Sequence, residues 1–152
     1  MVSQVAACEH QGVHYHGYFW RGSDQDRSRK ARDAHIDGPR FADADVPPVK
    51  ACWWLRKPAD RISGTWDDAE SAAKWMVSRY EGVRGEIDAA TAFWAPADDR
   101  YAPALRDISA GRDVTWQYQL GGDERVFVSV VACTPNEWDR DAPCPLEGER
   151  DG

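Results

Sequence analysis

The chain has 152 residues, of which 42% are hydrophobic and 30% are charged, and its formal net charge at pH 7 is −7. This length and composition fit a single folded domain whose core needs neither disulfides nor a metal, and they exclude a disordered chain. The acidic balance disfavours general binding to nucleic acid or to anionic membranes, and no apolar stretch approaches the length of a membrane span.

The first predicted element is a strand at residues 13–20, in a part of the chain that is unusually rich in histidine. Three of the four histidines, His10, His14 and His16, lie within seven residues. Alternation along an extended strand would place four side chains on one face: His14, His16, Tyr18 and Trp20. We expect this face either to meet a ligand or to be the aromatic face of an ordinary sheet.

Residues 22–48 form a long polar stretch that ends in two prolines. Loops of this length are uncommon in compact domains and tend to be functional or disordered, so we expect no regular structure here. The basic segment at residues 27–32 has aspartates on both sides, which weaken its positive field. This arrangement argues against a nucleic-acid partner.

Two further apolar segments, residues 49–55 and 87–94, each predict a strand. The first contains the adjacent Trp53 and Trp54, and the second is rich in alanine, which is also common in helices.

Two helices are predicted, at residues 66–81 and 98–110. Thr65 is placed to cap the first helix, and acidic residues in its first turn complement the helix dipole. Spacings of three and four residues give this helix an apolar stripe suited to packing on a sheet: Trp66, Ala69, Ala73, Met76 and Tyr80.

The C-terminal part of the chain predicts a β-hairpin. Apolar and polar residues alternate over residues 114–120, two glycines follow, and residues 125–133 are apolar on both faces. A strand that is apolar on both faces belongs in the centre of a sheet. Together the elements predict a single α+β domain with a largely antiparallel sheet of about five strands and two helices on one face.

This domain is expected to span residues 1–134, followed by an acidic, disordered tail at residues 135–152. The four cysteines include no CxxC pair, so the sequence offers neither a zinc-ribbon nor a thioredoxin-type motif. Cys52 and Cys133 are interpreted as small core residues. We expect reduced cysteines and a cytoplasmic location, and the richness in Ala, Arg and Asp suggests a bacterial source.

The histidine cluster is a candidate metal site. A His-x-His pair on a strand directs two imidazoles to one side, which suits zinc, copper or iron. The candidate ligands are Cys8, His10, His14 and His16, with His35 or a distant carboxylate as further donors. In the alternative interpretation, the pair faces solvent or joins a local hydrogen-bond network. No cofactor is expected, although a divalent metal would fit.

Acid–base catalysis is a second use of the same residues. A histidine near its ordinary pKa is the natural proton carrier at neutral pH, so His14 or His16 could serve a small enzyme of specialised metabolism. A carboxylate that orients the ring would have to come from elsewhere in the fold, because Glu9 falls on the opposite face of the strand.

Binding without catalysis is the preferred hypothesis. Eight tryptophans are more large aromatic side chains than a core of this size needs, and such rings are favoured in interfaces and ligand pockets. We expect recognition of a protein partner or an aromatic small molecule, as in inhibitor, immunity or phage accessory proteins. The candidate contact residues are Tyr18, Trp20, Trp53, Trp54 and Trp116.

Overall fold

The computed structural model describes residues 13–88 and 100–147. They form an α+β fold around one antiparallel sheet with the strand order β2-β1-β4-β3. The strands are β1 (His14–Ser23), β2 (Gly64–Trp66), β3 (Val114–Gln119) and β4 (Glu124–Cys133). The described residues confirm the antiparallel α+β prediction, with four strands in the sheet where about five were expected.

Several helices accompany the sheet. The α-helices are α1 (Asp24–Arg29), α2 (Ala69–Val83) and α3 (Tyr101–Ser109), and short 3-10 helices cover Ala31–Ala34, Ala51–Arg56, Ala59–Arg61 and Arg84–Glu86. Within the described part of the chain, no helix combines the length and the apolar composition that crossing a bilayer requires.

The long strands β1 and β4 form the centre of the sheet. They pair over ten positions, from His14 opposite Cys133 to Ser23 opposite Glu124. Strand β4 also pairs with β3, which confirms the predicted hairpin, and its turn contains Gly122 at a φ of 73°. The central position of β4 explains why its sequence is apolar on both faces.

One face of the sheet is covered by α2 and α3. Their inward side chains meet those of β4 in a single core that includes Ala72, Ala73, Met76, Tyr80, Ile108, Val126, Val128 and Val130. The predicted start of the first long helix was wrong, because Thr65 and Trp66 belong to β2 and pair with β1. The cap is Asp68, whose carboxylate accepts a hydrogen bond from Ser71 N at 2.8 Å.

The predicted strand at residues 49–55 is instead the 3-10 helix Ala51–Arg56. Strand β2 occupies the sheet edge beside β1, and the 3-10 helix crosses the face opposite α2 and α3. There the Trp54 ring stacks on Tyr18 with ring centroids 4.7 Å apart. A short apolar run does not distinguish a strand from a buried turn, so tertiary packing decided the outcome.

The predicted strand at residues 87–94 lies outside the described residues from position 89 onward. Its first residue, Ile87, forms an isolated antiparallel bridge with Leu120.

The stretch at residues 22–48 has more structure than expected. Its first residues belong to the end of β1 and to α1, and its later part is held by Lys57. The buried Lys57 ammonium donates hydrogen bonds to Phe41 O at 2.6 Å and Ala44 O at 2.9 Å. Such bonds satisfy loop carbonyls that would otherwise be buried without partners.

Residues 135–147, expected to belong to a disordered tail, fold back over the sheet face opposite α2 and α3. Asn136, Ala142 and Cys144 are between 1% and 5% exposed, so this segment contributes to the core. The acidic composition predicted disorder because the few buried side chains that anchor this segment contribute little to its average composition. Residues 148–152 lie outside the described part.

Candidate metal centre

Four side chains with metal-binding atoms meet beneath the C-terminal segment. His14 and His16 come from β1, Cys133 ends β4, and Cys144 follows in the C-terminal segment. Their donor atoms all lie within 4.8 Å of one another. Each residue is at most 1% exposed, so the cluster is isolated from water. We call these four residues the His2Cys2 cluster.

The sheet itself places three of these residues. His14 and His16 are two positions apart on β1, so both point to the same face, as alternation predicts. Cys133 stands directly opposite His14 in the antiparallel register of β1 and β4. Opposite residues of an antiparallel pair share a face with their Cβ atoms about 4.5–5.5 Å apart.

Cys144 reaches the cluster because the chain turns back after β4. The buried Asn136 side chain fixes this turn by donating to Ala132 O at 2.8 Å and to Asp113 Oδ1 at 2.9 Å. Its Oδ1 accepts hydrogen bonds from Trp138 N and Asp139 N. Asp139 in turn forms a two-pronged ion pair with Arg56, at 2.8 and 2.9 Å.

Both imidazoles direct Nε2 toward the Cys144 sulfur. The distances from Cys144 Sγ are 3.6 Å to His16 Nε2 and 3.8 Å to His14 Nε2. On its other side, His16 Nδ1 hydrogen-bonds the Thr65 hydroxyl at 2.9 Å. With the proton on Nδ1 and Thr65 accepting it, the Nε2 lone pair faces the cluster, the usual arrangement of a metal-binding histidine.

Burial disfavours the charged forms of His16 and Cys133. It lowers the pKa of His16 to about 3, with a smaller contribution from the neighbouring His14. Burial also raises the pKa of the Cys133 thiol to about 11. Neutral imidazoles are the form that metals bind, and a bound dication is the partner that would favour the thiolate.

The cysteines differ in their bonding. Cys133 and Cys52 are free thiols, whereas Cys144 is disulfide-bonded, so the prediction of reduced cysteines is wrong at Cys144. Cys52 is buried on the 3-10 helix Ala51–Arg56 and does not belong to the His2Cys2 cluster.

Two distances between donor atoms fit a tetrahedral ion. Zinc–sulfur bonds of about 2.3 Å and zinc–nitrogen bonds of about 2.0–2.1 Å place adjacent sulfur and nitrogen ligands about 3.6 Å apart. The observed sulfur–nitrogen distances of 3.6 and 3.8 Å match this value. Two sulfur and two nitrogen donors in this arrangement favour zinc over the octahedral, oxygen-preferring cations.

The other predicted metal ligands lie elsewhere. Cys8 and His10 fall outside the described residues. His35 is exposed beside Asp37 and packs edge-on against Trp53, with ring centroids 5.0 Å apart.

The five candidate contact residues do not form one continuous surface. Tyr18 and Trp54 are stacked in the core, and Trp20 is buried against Phe127. Trp53 is half-buried near His35, and the half-buried Trp116 packs on the side of α2 and α3.

Neither sulfur donor was predicted from the sequence. Cys133 was expected to be a small core residue, and no role was predicted for Cys144. The available signal was the pair of cysteines only 11 positions apart near the end of a chain whose start carries His-x-His. Only the pairing of β1 with β4 shows that these distant motifs meet.

A cleft of about 560 Å³ borders the cluster. It lies between residues 55–60 and residues 143–145, and Arg56 and Lys57 are among its walls. Of the four cluster residues, Cys144 is the one that lines this cleft. The cluster is therefore nearest to solvent on its Cys144 side.

Comparisons with protein-family models, with curated proteins and with solved structures found no significant match.

Proposed function

We propose that this protein, in its reduced form, is a zinc-binding domain. The observation that supports this most directly is the convergence of two imidazoles and two cysteine sulfurs, with their donor atoms within 4.8 Å of one another in a fully buried position. A zinc ion would bind all four groups at once, and its charge would balance the two thiolates in a buried position where an unpaired charge is costly.

The zinc has a structural role in this proposal. Four protein ligands complete a tetrahedral shell, whereas catalytic zinc sites keep one position open for water or substrate. The ion would attach the C-terminal segment to the sheet, because three ligands belong to β1 and β4 and the fourth is Cys144. A cytoplasmic location, where thiols stay reduced, suits such a site.

The acid–base alternative has less support. A proton carrier works best when its pKa lies near the working pH, and burial holds the pKa of His16 at about 3. Both imidazoles are at most 1% exposed, which leaves a substrate no access to them. Recognition of a protein partner or an aromatic small molecule stays a prediction. The buried rings of Tyr18 and Trp54 do not offer it a contact surface.

Native mass spectrometry and elemental analysis of untagged protein, purified under a phosphine reductant, test the proposal. We expect one zinc ion per chain. Cys133→Ser should abolish tight binding, whereas Cys52→Ser, which changes a buried thiol outside the cluster, should keep one zinc. A wild-type chain that stays metal-free when refolded with equimolar zinc would contradict the proposal, as would full zinc retention by Cys133→Ser.

Cobalt substitution identifies the ligands without any mutation. A tetrahedral site with two thiolates should give intense visible bands together with sulfur-to-cobalt charge transfer. Weak bands of an octahedral complex, without charge transfer, would show that sulfur does not bind the ion.

A further inference from the structure

We propose that a second site, on the sheet face opposite the His2Cys2 cluster, binds a small aromatic carboxylate. The site is a pocket of about 450 Å³ between β1 and α2. Phe19 and Arg21 line it on the strand side, and Trp75 and Arg79 line it on the helix side. This inference is independent of zinc binding, because none of the four cluster residues lines the pocket.

The pocket lies beyond the end of the short edge strand β2. Strand β2 pairs with β1 from Tyr15 to Gly17, so Phe19 and Arg21 continue past it. Alternation along β1 directs both side chains toward the helical face, where Phe19 packs against the core. On the helix side, Gly82 leaves room, because a Cβ there would meet no described atom within 4 Å.

Arg79 carries a half-buried positive charge that lacks a counter-ion in the described part of the chain. Its Cζ atom lies 4.3 Å from the centroid of the Phe19 ring and 5.8 Å from that of Trp75, so two aromatic rings hold the guanidinium. Its buried Nε atom has no hydrogen-bond partner among the described residues, and their ion pairs do not include Arg79. A partly buried charge is costly without a counter-ion, and a bound anion would supply one.

The other arginine of the pocket is already paired. Arg21 Nη2 lies 2.6 Å from Glu86 Oε1 and 2.7 Å from Glu124 Oε1, so two carboxylates neutralise it. Neither glutamate lines the pocket. We therefore assign the carboxylate of the ligand to Arg79, whose planar guanidinium suits a two-pronged bond to a carboxylate.

The walls of the pocket favour an anion that is attached to a ring. Phe19 and Trp75 are half-buried and offer aromatic surface, against which a flat ring buries a large apolar area. The volume lies within the range of small-molecule sites. The protein's net charge of −7 repels anions at long range, so a charge without apolar contacts should bind weakly.

Nuclear magnetic resonance of ¹⁵N-labelled, full-length protein titrated with phenylacetate tests the proposal. We expect saturable shifts of the Trp75 indole N–H and the Arg79 Nε–H signals. Phenylacetamide is the neutral analogue of similar shape, and acetate carries the charge without the ring. Each should bind at least about 10-fold more weakly than phenylacetate, because each lacks one of the two contacts.

Two variants test the pocket itself. Arg79→Gln removes the charge and should weaken phenylacetate binding by at least about 10-fold. Gly82→Leu adds a bulky side chain to the lining and keeps Arg79, so it should also prevent binding, and the test survives if Arg79→Gln does not fold. Arg84→Gln is the matched control, because it removes the same charge from a residue that pairs with Glu81 at 3.5 Å outside the pocket lining.

Each contrary outcome overturns the proposal. Missing shifts at Trp75 and Arg79 would show that the pocket binds no such ligand. Equal binding of phenylacetamide would show that the charge is not recognised, and equal binding of acetate would show the same for the ring. An equal loss in Arg84→Gln would assign the effect to overall charge. Protein without zinc should bind phenylacetate as zinc-loaded protein does, so failure of the zinc proposal leaves this one standing.

Discussion

His14 and Cys133 face each other directly across the two central strands of the sheet. This cross-strand pair joins an imidazole and a thiol through the most extensively hydrogen-bonded part of the fold, and His16 stands two positions further along β1. Three of the four proposed ligands are therefore fixed by the sheet, while the fourth depends on the C-terminal segment. A substitution beside β1, such as Thr65→Val, and one in the C-terminal segment, such as Asn136→Ala, should therefore have different consequences.

Thr65→Val tests the hydrogen bond that orients His16. Valine keeps the β-branched shape but removes the hydroxyl that lies 2.9 Å from His16 Nδ1. Zinc affinity should fall by about 10–100-fold with the stoichiometry unchanged, as is typical when a hydrogen bond to a metal ligand is lost. Competition with a chromophoric chelator measures the change. Thr115→Val, which removes a hydroxyl bonded to Ser129, is the matched control and should bind zinc normally.

Asn136→Ala tests how the C-terminal segment is held. The substitution leaves Ala132 O and the Asp113 carboxylate without the amide that donates to both. We expect a loss of about 2–4 kcal/mol in the free energy of unfolding, measured in urea, and weaker zinc binding. The exposed neighbour Glu137, changed to alanine, should stay within about 0.5 kcal/mol of wild type. Similar losses in both variants would contradict this role for Asn136.

Gly17→Ala and Gly82→Ala should change stability in opposite directions. A Cβ at Gly17 would lie 2.8 Å from the rings of both Trp66 and Trp75, so alanine there should destabilise by about 1–3 kcal/mol. At Gly82, within α2, a Cβ meets no described atom inside 4 Å. Alanine should therefore stabilise by about 0.5–1 kcal/mol through its higher helix propensity. Thermal or urea unfolding gives both values, and equal signs would refute the packing argument.

The raised pKa of the Asp113 carboxyl predicts that the stability of the fold depends on pH. Burial raises the pKa of its carboxyl from 3.8 to about 6, although hydrogen bonds from Ala132 N and Asn136 oppose the change. The folded protein thus holds this proton more tightly than the unfolded chain does, and the group favours folding more as the pH falls through 6. Relative to Asp113→Asn, wild type should gain about 1.4 kcal/mol between about pH 8 and about pH 5.

Urea unfolding of both proteins at the two pH values measures this difference. Other titrating groups, and any dependence on zinc, are common to the two proteins and cancel. A difference that stays constant with pH would show that the Asp113 carboxyl titrates normally.

Local sequence patterns predicted the elements whose geometry depends on near neighbours. Alternation identified β1 and placed His14 and His16 on one face, and the glycines between β3 and β4 indicated the hairpin. The sequence pattern gave the wrong secondary structure where a strand and a 3-10 helix would bury the same residues. An apolar run around Trp53 and Trp54 fits a strand or a 3-10 helix equally well, and packing on Tyr18 decided between them.

The His2Cys2 cluster depends on long-range information. Its residues are local neighbours only as the pairs His14 and His16 or Cys133 and Cys144, and neither pair forms a familiar metal motif. Bringing the pairs together requires the register between β1 and β4, which tertiary packing sets. It also requires the turn fixed by Asn136, in a segment whose composition indicated disorder.

The contact between the Cys144 sulfur and the His14 ring spans 130 positions of the chain. An ion that bridges them would turn almost the whole polypeptide into a closed ring. Holding the ends of such a segment together restricts the denatured chain by about 4 kcal/mol of loop-closure entropy. A protease that cuts once inside this ring would leave both fragments joined through the metal, and pulling on the two termini would load metal–ligand bonds before it separated the strands.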